Sequence, residues 1–221
     1  MDKQRLLITV SGRAIYLSHL DRMRTFQRAF SRAGMSLYHT EGFNPHPYIS
    51  FAMPLPLGME SKCEILDFML VDDTKLEDVP SLLNAQLPDG IVVESSFAST
   101  RKIKELSHLS LHGVWEYDNP DSLHNAADGL QTFFAKESIL VRKLNKKKQE
   151  TTADIAALIS EIHFTQTEEN IQINALVAAQ NPGLNPNLLL EAIIQNEASL
   201  KPDFASFARQ EIFDANGTAF R

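Results

Sequence analysis

The chain has 221 residues, of which 43% are hydrophobic and 22% charged, and its formal net charge is −7. This length suits one large domain or two small ones, and the composition is typical of a soluble globular protein. There is no apolar run of about eighteen residues, and the start at Met1–Arg5 lacks a signal-peptide pattern. The single cysteine, Cys63, excludes an internal disulfide and a metal cluster held by the chain's own cysteines. We expect a cytoplasmic, bacterial-type protein with no membrane contact.

The negative charge is unevenly distributed along the sequence. Residues 150–221 contain ten acidic and three basic side chains, a difference of −7, so residues 1–149 are neutral overall. The basic residues of that first part form clusters that suit a polyanion in spite of a pI of about 5.5. These clusters are Arg22/Arg24/Arg28/Arg32, Arg101–Lys104, and Arg142–Lys143 with Lys146–Lys148. Each of them is equally compatible with an ordinary solvated surface.

The clearest periodic element is a helix that begins after Ser18. Ser18 and Asp21 match a capping box, and apolar residues then recur at helical spacing until Gly34. Arg22 lies at the margin of the apolar face. Arginines form a stripe on the opposite face, and they are Arg24, Arg28 and Arg32. This stripe is either a solvated face or a phosphate-contacting surface.

Apolar segments around this helix predict strands and a second helix. The strands are Leu6–Val10 (continuing to Leu17 through a bulge or tight hairpin at Gly12), Met35–His39, Glu64–Val71 and Ile91–Val93, and the helix lies within Lys75–Leu87. Tyr48–Met53 is a further segment that alternates or runs apolar, and Leu55–Gly58 breaks it. The resulting order, β-α-β-β-α-β, is the ferredoxin-like arrangement.

The second half repeats this order, with an insert, after a polar, basic stretch at residues 99–107. Strands are predicted at Leu109–Tyr117, Ser138–Val141, Glu161–Thr165, Ile171–Val177 and Arg209–Phe213, with helices at Leu123–Phe134 and Leu188–Ile194 and a helical turn near Asp154–Ile159. We predict an α+β fold of two tandem ferredoxin-like (βαββαβ) units with antiparallel sheets. Their predicted bounds are 1–98 and 99–221.

The stiffest stretch of the chain is Glu41–Gly58, which contains four prolines. We call its first part, Gly42–Pro47, the arch. Asn44 and His46 each precede a proline and are therefore biased toward extended backbone. The arch is either a turn between two strands or a binding loop. In the second case Phe43 and Tyr48 would stack on unpaired bases, whereas in the first they would pack against the sheet.

Common catalytic motifs are absent from the sequence, which has no GxGxxG, Walker loop, HExxH or CxxC. His46 and His19, assisted by Tyr48 and an arginine, are weak candidates for acid–base chemistry on a phosphodiester if the arch folds over the helix start. The spacing of the histidines does not support a metal site. Whether the chain is an enzyme is therefore uncertain, and we favour a non-catalytic role.

Several distinctive segments of the sequence occur together, and they are Leu17–Arg22, Phe30–Gly34, Glu41–Pro47, Leu55–Gly58, Ser61 with Glu64, and Asp67. Through these residues the chain resembles a bacterial family of radical-SAM-associated uncharacterised proteins. Members of that family are fused to a radical SAM protein or encoded beside one, and no activity is established for them. Radical SAM chemistry needs an iron–sulfur cluster held by several cysteines. The resemblance therefore implies that the cluster and S-adenosylmethionine belong to a partner, and that this chain needs no cofactor.

The combined interpretation is a non-catalytic partner that recognises a structured RNA, such as tRNA or rRNA, for modification by a radical SAM enzyme; we do not expect DNA. The candidate binding residues are Ser18, His19, Arg22, Arg24, Arg28, Arg32, Phe43, Asn44, His46 and Tyr48. Two alternatives stay open at this stage. One is a metal-independent RNA-processing enzyme that uses His46 and His19, and the other is a pure protein-interaction module.

Overall fold

The computed structural model describes residues 3–144 and 149–221. The predicted basic stretch Lys146–Lys148 lies outside the described residues. The chain divides into two compact units, Met1–Glu105 with Phe220–Arg221, and Leu106–Ala219. Both contain antiparallel sheets and few helices. Within the described residues, no helix combines the length and apolar character needed to cross a membrane.

The first unit contains a four-stranded antiparallel sheet with the order β4-β1-β3-β2. Its elements are β1 (Gln4–Val10), α1 (His19–Arg32), β2 (Ile49–Phe51), β3 (Glu60–Phe68), α2 (Val79–Asn84) and β4 (Ile91–Ala98). The predicted helix after Ser18 is confirmed, and Ser18 is its N-cap.

The apolar face of α1 packs on this sheet. Phe26 and Phe30 are buried, with their rings 5.7 Å from Phe51 and 5.2 Å from Phe68, respectively. Burying a large aromatic side chain contributes about 1.5–3 kcal/mol, so these residues fix the orientation of the helix. The stripe of arginines consequently lies on the outer face of α1.

Two predicted strands of the first unit are wrong. The segment after β1 is a 3-10 helix, Gly12–Tyr16, because Gly12 adopts a left-handed φ of 56° and the Ser11 N–H donates to the Gly90 carbonyl at 2.8 Å. The segment Met35–His39 forms only isolated bridges, from Leu37 to Leu70 and from His39 to Pro47. Its backbone changes partners within a few residues, so no continuous ladder forms.

The second unit contains four antiparallel strands in the order β10-β5-β9-β8, and a separate hairpin of β6 and β7. Its elements are β5 (His108–Glu116), α3 (Pro120–Phe134), β6 (Leu140–Leu144), β7 (Glu150–Asp154), β8 (Ile159–Gln166), β9 (Asn170–Ala178), α4 (Asn187–Asn196) and β10 (Phe204–Phe213).

The core of the second unit surrounds Trp115, which is fully buried. Its ring lies 6.2 Å from that of Phe164 and 6.3 Å from that of Phe207. Sequence analysis did not predict β7, because the strand consists of polar, half-exposed residues without an apolar alternation. The helical turn predicted near Asp154–Ile159 is the 3-10 helix Ala156–Leu158.

Candidate RNA-binding site

The arch is a closed loop held at its base by Thr40. The Thr40 N–H donates to the His46 carbonyl at 2.9 Å, and the His46 N–H donates to Thr40 Oγ1 at 3.2 Å. Gly42 adopts a φ of 123°, which side chains rarely tolerate, so the turn depends on a glycine. Residues 41–46 are exposed. The arch is therefore an exposed loop whose ends are fixed to each other.

The ring of His46 is bonded within the arch. Its Nδ1 lies 3.1 Å from the Asn44 carbonyl and 3.1 Å from Thr40 Oγ1. A carbonyl oxygen only accepts, so Nδ1 carries the proton that is donated to Asn44. In the neutral ring Nε2 then holds a lone pair. His46 can therefore accept a hydrogen bond or a proton at Nε2 while its orientation is held by the loop.

The two aromatic residues of this region differ in exposure. Phe43 is completely exposed, at 112% of its reference area. Tyr48 is half-buried; its N–H donates to the Tyr38 carbonyl at 2.7 Å, and Lys3 Nζ lies 5.3 Å from the centre of its ring. The hydrogen bond with Tyr48 raises the pKa of Lys3. Phe43 is thus available to stack on another molecule, whereas Tyr48 is integrated into the unit.

The predicted residues at the start of α1 have mainly structural contacts. Ser18 Oγ accepts from the Asp21 N–H at 3.1 Å and donates to Asp21 Oδ2 at 2.7 Å, so Ser18 caps the helix. The exposed ring of His19 packs edge-on against Phe51 at 5.8 Å. Arg22 is buried, and its Nη2 donates to the Leu55 carbonyl at 2.7 Å. Arg22 therefore fixes the chain after β2 instead of facing solvent.

The arginine stripe borders a pocket of about 310 Å³. Arg28 and Arg32 line this pocket together with Thr25 and residues 86–88. Arg32 is held in place because its Nε donates to Gln86 Oε1 at 3.3 Å and its Nη2 donates to the Gln86 carbonyl. We call this the basic pocket.

Arg24, the remaining member of the stripe, forms an exposed ion pair with Asp21 at 3.7 Å. Within the described residues, no acidic side chain pairs with Arg28 or Arg32. The stripe therefore keeps two positive charges beside one pocket.

The other basic clusters combine a paired arginine, Arg101, with side chains that are exposed, those of Lys102, Lys104, Arg142 and Lys143. Arg101 pairs with Glu105 at 3.3 Å and lies 4.7 Å from the centre of the Phe220 ring. Arg142 lies on β6, where its backbone exchanges hydrogen bonds with Gln195 at 2.8 and 3.0 Å. Among the described residues, no group of three or more His, Cys, Asp or Glu side chains is arranged to hold a metal ion.

Two sets of polar residues were not singled out from the sequence. The first lines a pocket of about 600 Å³ beside α1 and includes Gln27, Ser31 and His39. The second is a row across strands β5, β9 and β8 of the second unit, in which Asn174 is paired with His112 on one side and His163 on the other. The strict alternation of β5 could have indicated the second set. The first set is formed by tertiary packing and leaves no comparable periodic signal.

The predicted residues thus occur in separate groups within the first unit. In the arch, the His46 ring contacts the Asn44 carbonyl directly, and Arg28 and Arg32 meet at the basic pocket. His19 instead contacts Phe51. A single cleft that contains both His19 and His46 stays a prediction.

Comparison with solved structures shows fold similarity. A chain from a crystal structure described as a Cbf5-Nop10-Gar1 complex matches with a TM-score of 0.51 and 9% identity, covering 96% of this chain and 50% of that one. This protein therefore spans about half the length of that chain. A second match, an unknown protein from Galdieria sulphuraria, has a TM-score of 0.28 and 10% identity and covers 97% of this chain and 98% of its own.

Sequence comparison places the chain in a family. No curated protein matches it. The family model described as an uncharacterized protein conserved in bacteria (DUF2344) matches residues 3–186. This match extends over the whole described part of the first unit except its last two residues, and over most of the second. The chain therefore belongs to this conserved bacterial family.

Proposed function

We propose that this protein binds structured RNA without transforming it and presents it to a radical SAM enzyme. The observation that carries the RNA part is the arginine stripe. A chain with a net charge of −7 keeps Arg28 and Arg32 beside one exposed pocket without an acidic partner among the described residues. Phosphate groups supply the missing counter-charge, and a guanidinium binds them through paired N–H donors.

The geometry of Arg32 favours phosphate over a mobile counter-ion. Its guanidinium is already bonded to Gln86, so little side-chain freedom is lost when an anion enters the pocket. Arg28 lies one helical turn away on the same face. Successive phosphates along a strand can therefore contact successive arginines of the stripe.

The arch supports RNA over other polyanions. A fully exposed phenylalanine costs solvation energy in the free protein, and stacking on an unpaired base recovers it. Asn44 and His46 offer polar groups on either side of Pro45. Unpaired bases are accessible in RNA loops and ends, which is why we propose structured RNA and not DNA.

The architecture supports this role by analogy. We propose that each unit is a ferredoxin-like βαββαβ module, and that residues 1–98 and 99–221 are two domains. The strand orders β4-β1-β3-β2 and β10-β5-β9-β8 are consistent with that arrangement when the β6–β7 hairpin is treated as an insert. Modules of this kind often bind RNA, although a fold alone does not assign a function.

The proposed partner rests on the family resemblance and on the cysteine count. The chain has one cysteine, Cys63, and it is buried on β3. An iron–sulfur cluster held by several cysteines would therefore belong to the radical SAM protein, together with S-adenosylmethionine. In this proposal the chain itself carries no cofactor and supplies recognition only.

The proposal is tested with a fluorescent RNA stem-loop and the purified chain. We expect affinity to fall steeply between 50 and 200 mM salt, and the slope of log K against log salt to lose about one unit in Arg28→Gln. Arg13→Gln, a change at an exposed arginine outside the stripe, should leave the slope unchanged. Binding that is absent or independent of salt would refute the proposal. Cleavage of the RNA by wild type but not by His46→Ala would show an RNA-processing enzyme instead.

A further inference from the structure

A second pocket lies on a face of α1 that adjoins the basic pocket, and its chemistry is different. Its volume of about 600 Å³ is in the usual range for small-ligand sites. Gln27 and Ser31 line it from α1, Ser36 and His39 line it from the segment that follows, and Pro47 lines it from the base of the arch. We call it the neutral pocket.

None of the residues that line the neutral pocket carries a fixed charge. Met35 and Leu37 supply buried apolar surface. The polar groups are an amide and two hydroxyls, from Gln27, Ser31 and Ser36, which can both donate and accept. Such a lining leaves an anion or a cation without a counter-charge, and it suits a neutral ligand with a polar edge.

Hydrogen bonds to its backbone hold the segment that forms this lining in place. His39 Nδ1 lies 3.1 Å from the Leu37 carbonyl, so Nδ1 is the donor and Nε2 of the neutral ring is an acceptor. Asp72 accepts from the Ser36 N–H and from the Thr74 N–H, the latter at 2.9 Å. The polar groups of the pocket are therefore held on a braced backbone, which favours selective binding.

The two pockets lie on adjoining faces of one helix. Gln27 and Ser31 line the neutral pocket, and the next residue in each case, Arg28 or Arg32, lines the basic pocket. Consecutive helical residues are about 100° apart around the axis, so a neutral pocket and an anion-binding pocket lie side by side along α1. A nucleotide joins a neutral planar base to a charged phosphate through one sugar, and it fits that sequence of sites.

We propose that the neutral pocket holds one unpaired nucleobase of an RNA whose phosphates lie on the arginine stripe. This inference rests on the proposed RNA-binding function and adds a base-reading site to it. The amide of Gln27 and the acceptor Nε2 of His39 are the groups that read the edge of the base. The apolar side chains cover its face.

The test compares an RNA stem-loop with the same stem-loop whose loop nucleotides are abasic. All proteins in this test carry Phe43→Ala, which removes stacking on the arch. The Phe43→Ala protein should bind the intact loop roughly 5- to 150-fold more tightly than the abasic one, the range expected for one stacked base. Ser31→Trp fills the pocket from an exposed helical position and should abolish this preference without changing the salt slope. Gln27→Leu, which keeps the side-chain size but removes the amide, should weaken intact-loop binding roughly two- to tenfold. Ser122→Trp, at an exposed position of α3, is the matched control.

The outcomes separate this inference from the proposed function. Equal binding of intact and abasic loops by the Phe43→Ala protein, with a steep salt slope, overturns the nucleobase pocket and leaves the proposed function standing. An intact-loop preference that persists in Ser31→Trp also overturns it. If no RNA binds, the proposed function fails, and titration with free nucleosides then tests the neutral pocket alone. Shifts of the NMR signals of Gln27 and His39 support the pocket, and unchanged signals overturn it as well.

Discussion

The pair of Arg5 and Asp67 gives the most quantitative prediction. Arg5 is fully buried and Asp67 nearly so, and their side chains form two hydrogen bonds, from Nε to Oδ1 at 2.6 Å and from Nη2 to Oδ2 at 3.2 Å. In Asp67→Ala, Arg5 keeps one hydrogen bond, from Nη2 to the Arg101 carbonyl at 3.1 Å. It also keeps the cation–π contact with Phe220, whose ring centre lies 4.9 Å from the guanidinium. The arginine then remains buried with most of its charge uncompensated.

The expected cost follows from these contacts. Each hydrogen bond to a charged group contributes about 1.5–3 kcal/mol, so losing two removes at least about 3 kcal/mol. Breaking a buried ion pair by removing one partner costs about 3–5 kcal/mol, which agrees. Since total stabilities are about 5–15 kcal/mol, Asp67→Ala should remove a large part of the stability of the first unit. The double variant Arg5→Met/Asp67→Leu should recover most of it, because no charge is left unpaired.

Native-state hydrogen exchange measures this effect locally, at the amides of β1 and β3. Protection there should fall by the equivalent of about 3–5 kcal/mol in Asp67→Ala. Glu60→Ala, which removes an exposed carboxylate from the same strand, is the control and should change protection little. A loss below about 1 kcal/mol in Asp67→Ala would refute the reasoning, because such a small loss is typical of an exposed ion pair. A double variant less stable than the single variant would also refute it.

Three further predictions concern the arch and the insert. Thr40→Val removes the acceptor of the His46 N–H and should speed exchange of that amide and weaken RNA binding, with overall stability little changed. Phe43→Ala should weaken binding to an RNA loop roughly 5- to 150-fold but leave the unfolding midpoint unchanged, because the ring is exposed; a lower midpoint would contradict this. The hydrogen bond from Ser138 lowers the pKa of Asp154 in the folded protein. The stabilisation from this hydrogen bond is therefore complete above the unfolded pKa of about 3.9, and it is lost as pH falls through the lower folded pKa. The stability difference between wild type and Ser138→Ala should therefore narrow as pH falls from 5 to 2, and a difference that widens would contradict the assignment.

Local signals predicted the elements that depend on local physics. The helix α1 combines an N-cap at Ser18 with an apolar face through Phe26 and Phe30, and both determinants lie within the helix itself. The strand β3 (Glu60–Phe68) was predicted as Glu64–Val71, from the apolar residues of its second half, and its more polar first residues gave no such signal. The exposure of the arch likewise follows from prolines and a glycine, because such a segment cannot pair in a regular ladder.

Elements that depend on distant partners were not predictable in the same way. Met35–His39 has the composition of a strand, but its backbone bonds alternately to residues 69–71 and 46–48, and no sequence pattern reports that change of partner. Arg22 shows the same limit for the site. Its place four residues before Phe26 puts it at the edge of the apolar face, but its burial depends on the Leu55 carbonyl 33 positions away.

The residues that carry the family resemblance fall into two classes in the structure, and this division supports the proposed binding role of the arch. Ser18 caps α1, Arg22 anchors the chain at Leu55, and Asp67 neutralises Arg5, so the fold itself requires these three. Phe43 and His46 are exposed, and stability gains little from an exposed ring or from an exposed imidazole. Their exposed placement on a loop with fixed ends supports the proposed contact between the arch and another molecule. Among the described residues, the hydrogen bonds that hold the His46 ring in the arch involve Nδ1. Nε2 is therefore the ring atom that would contact that molecule.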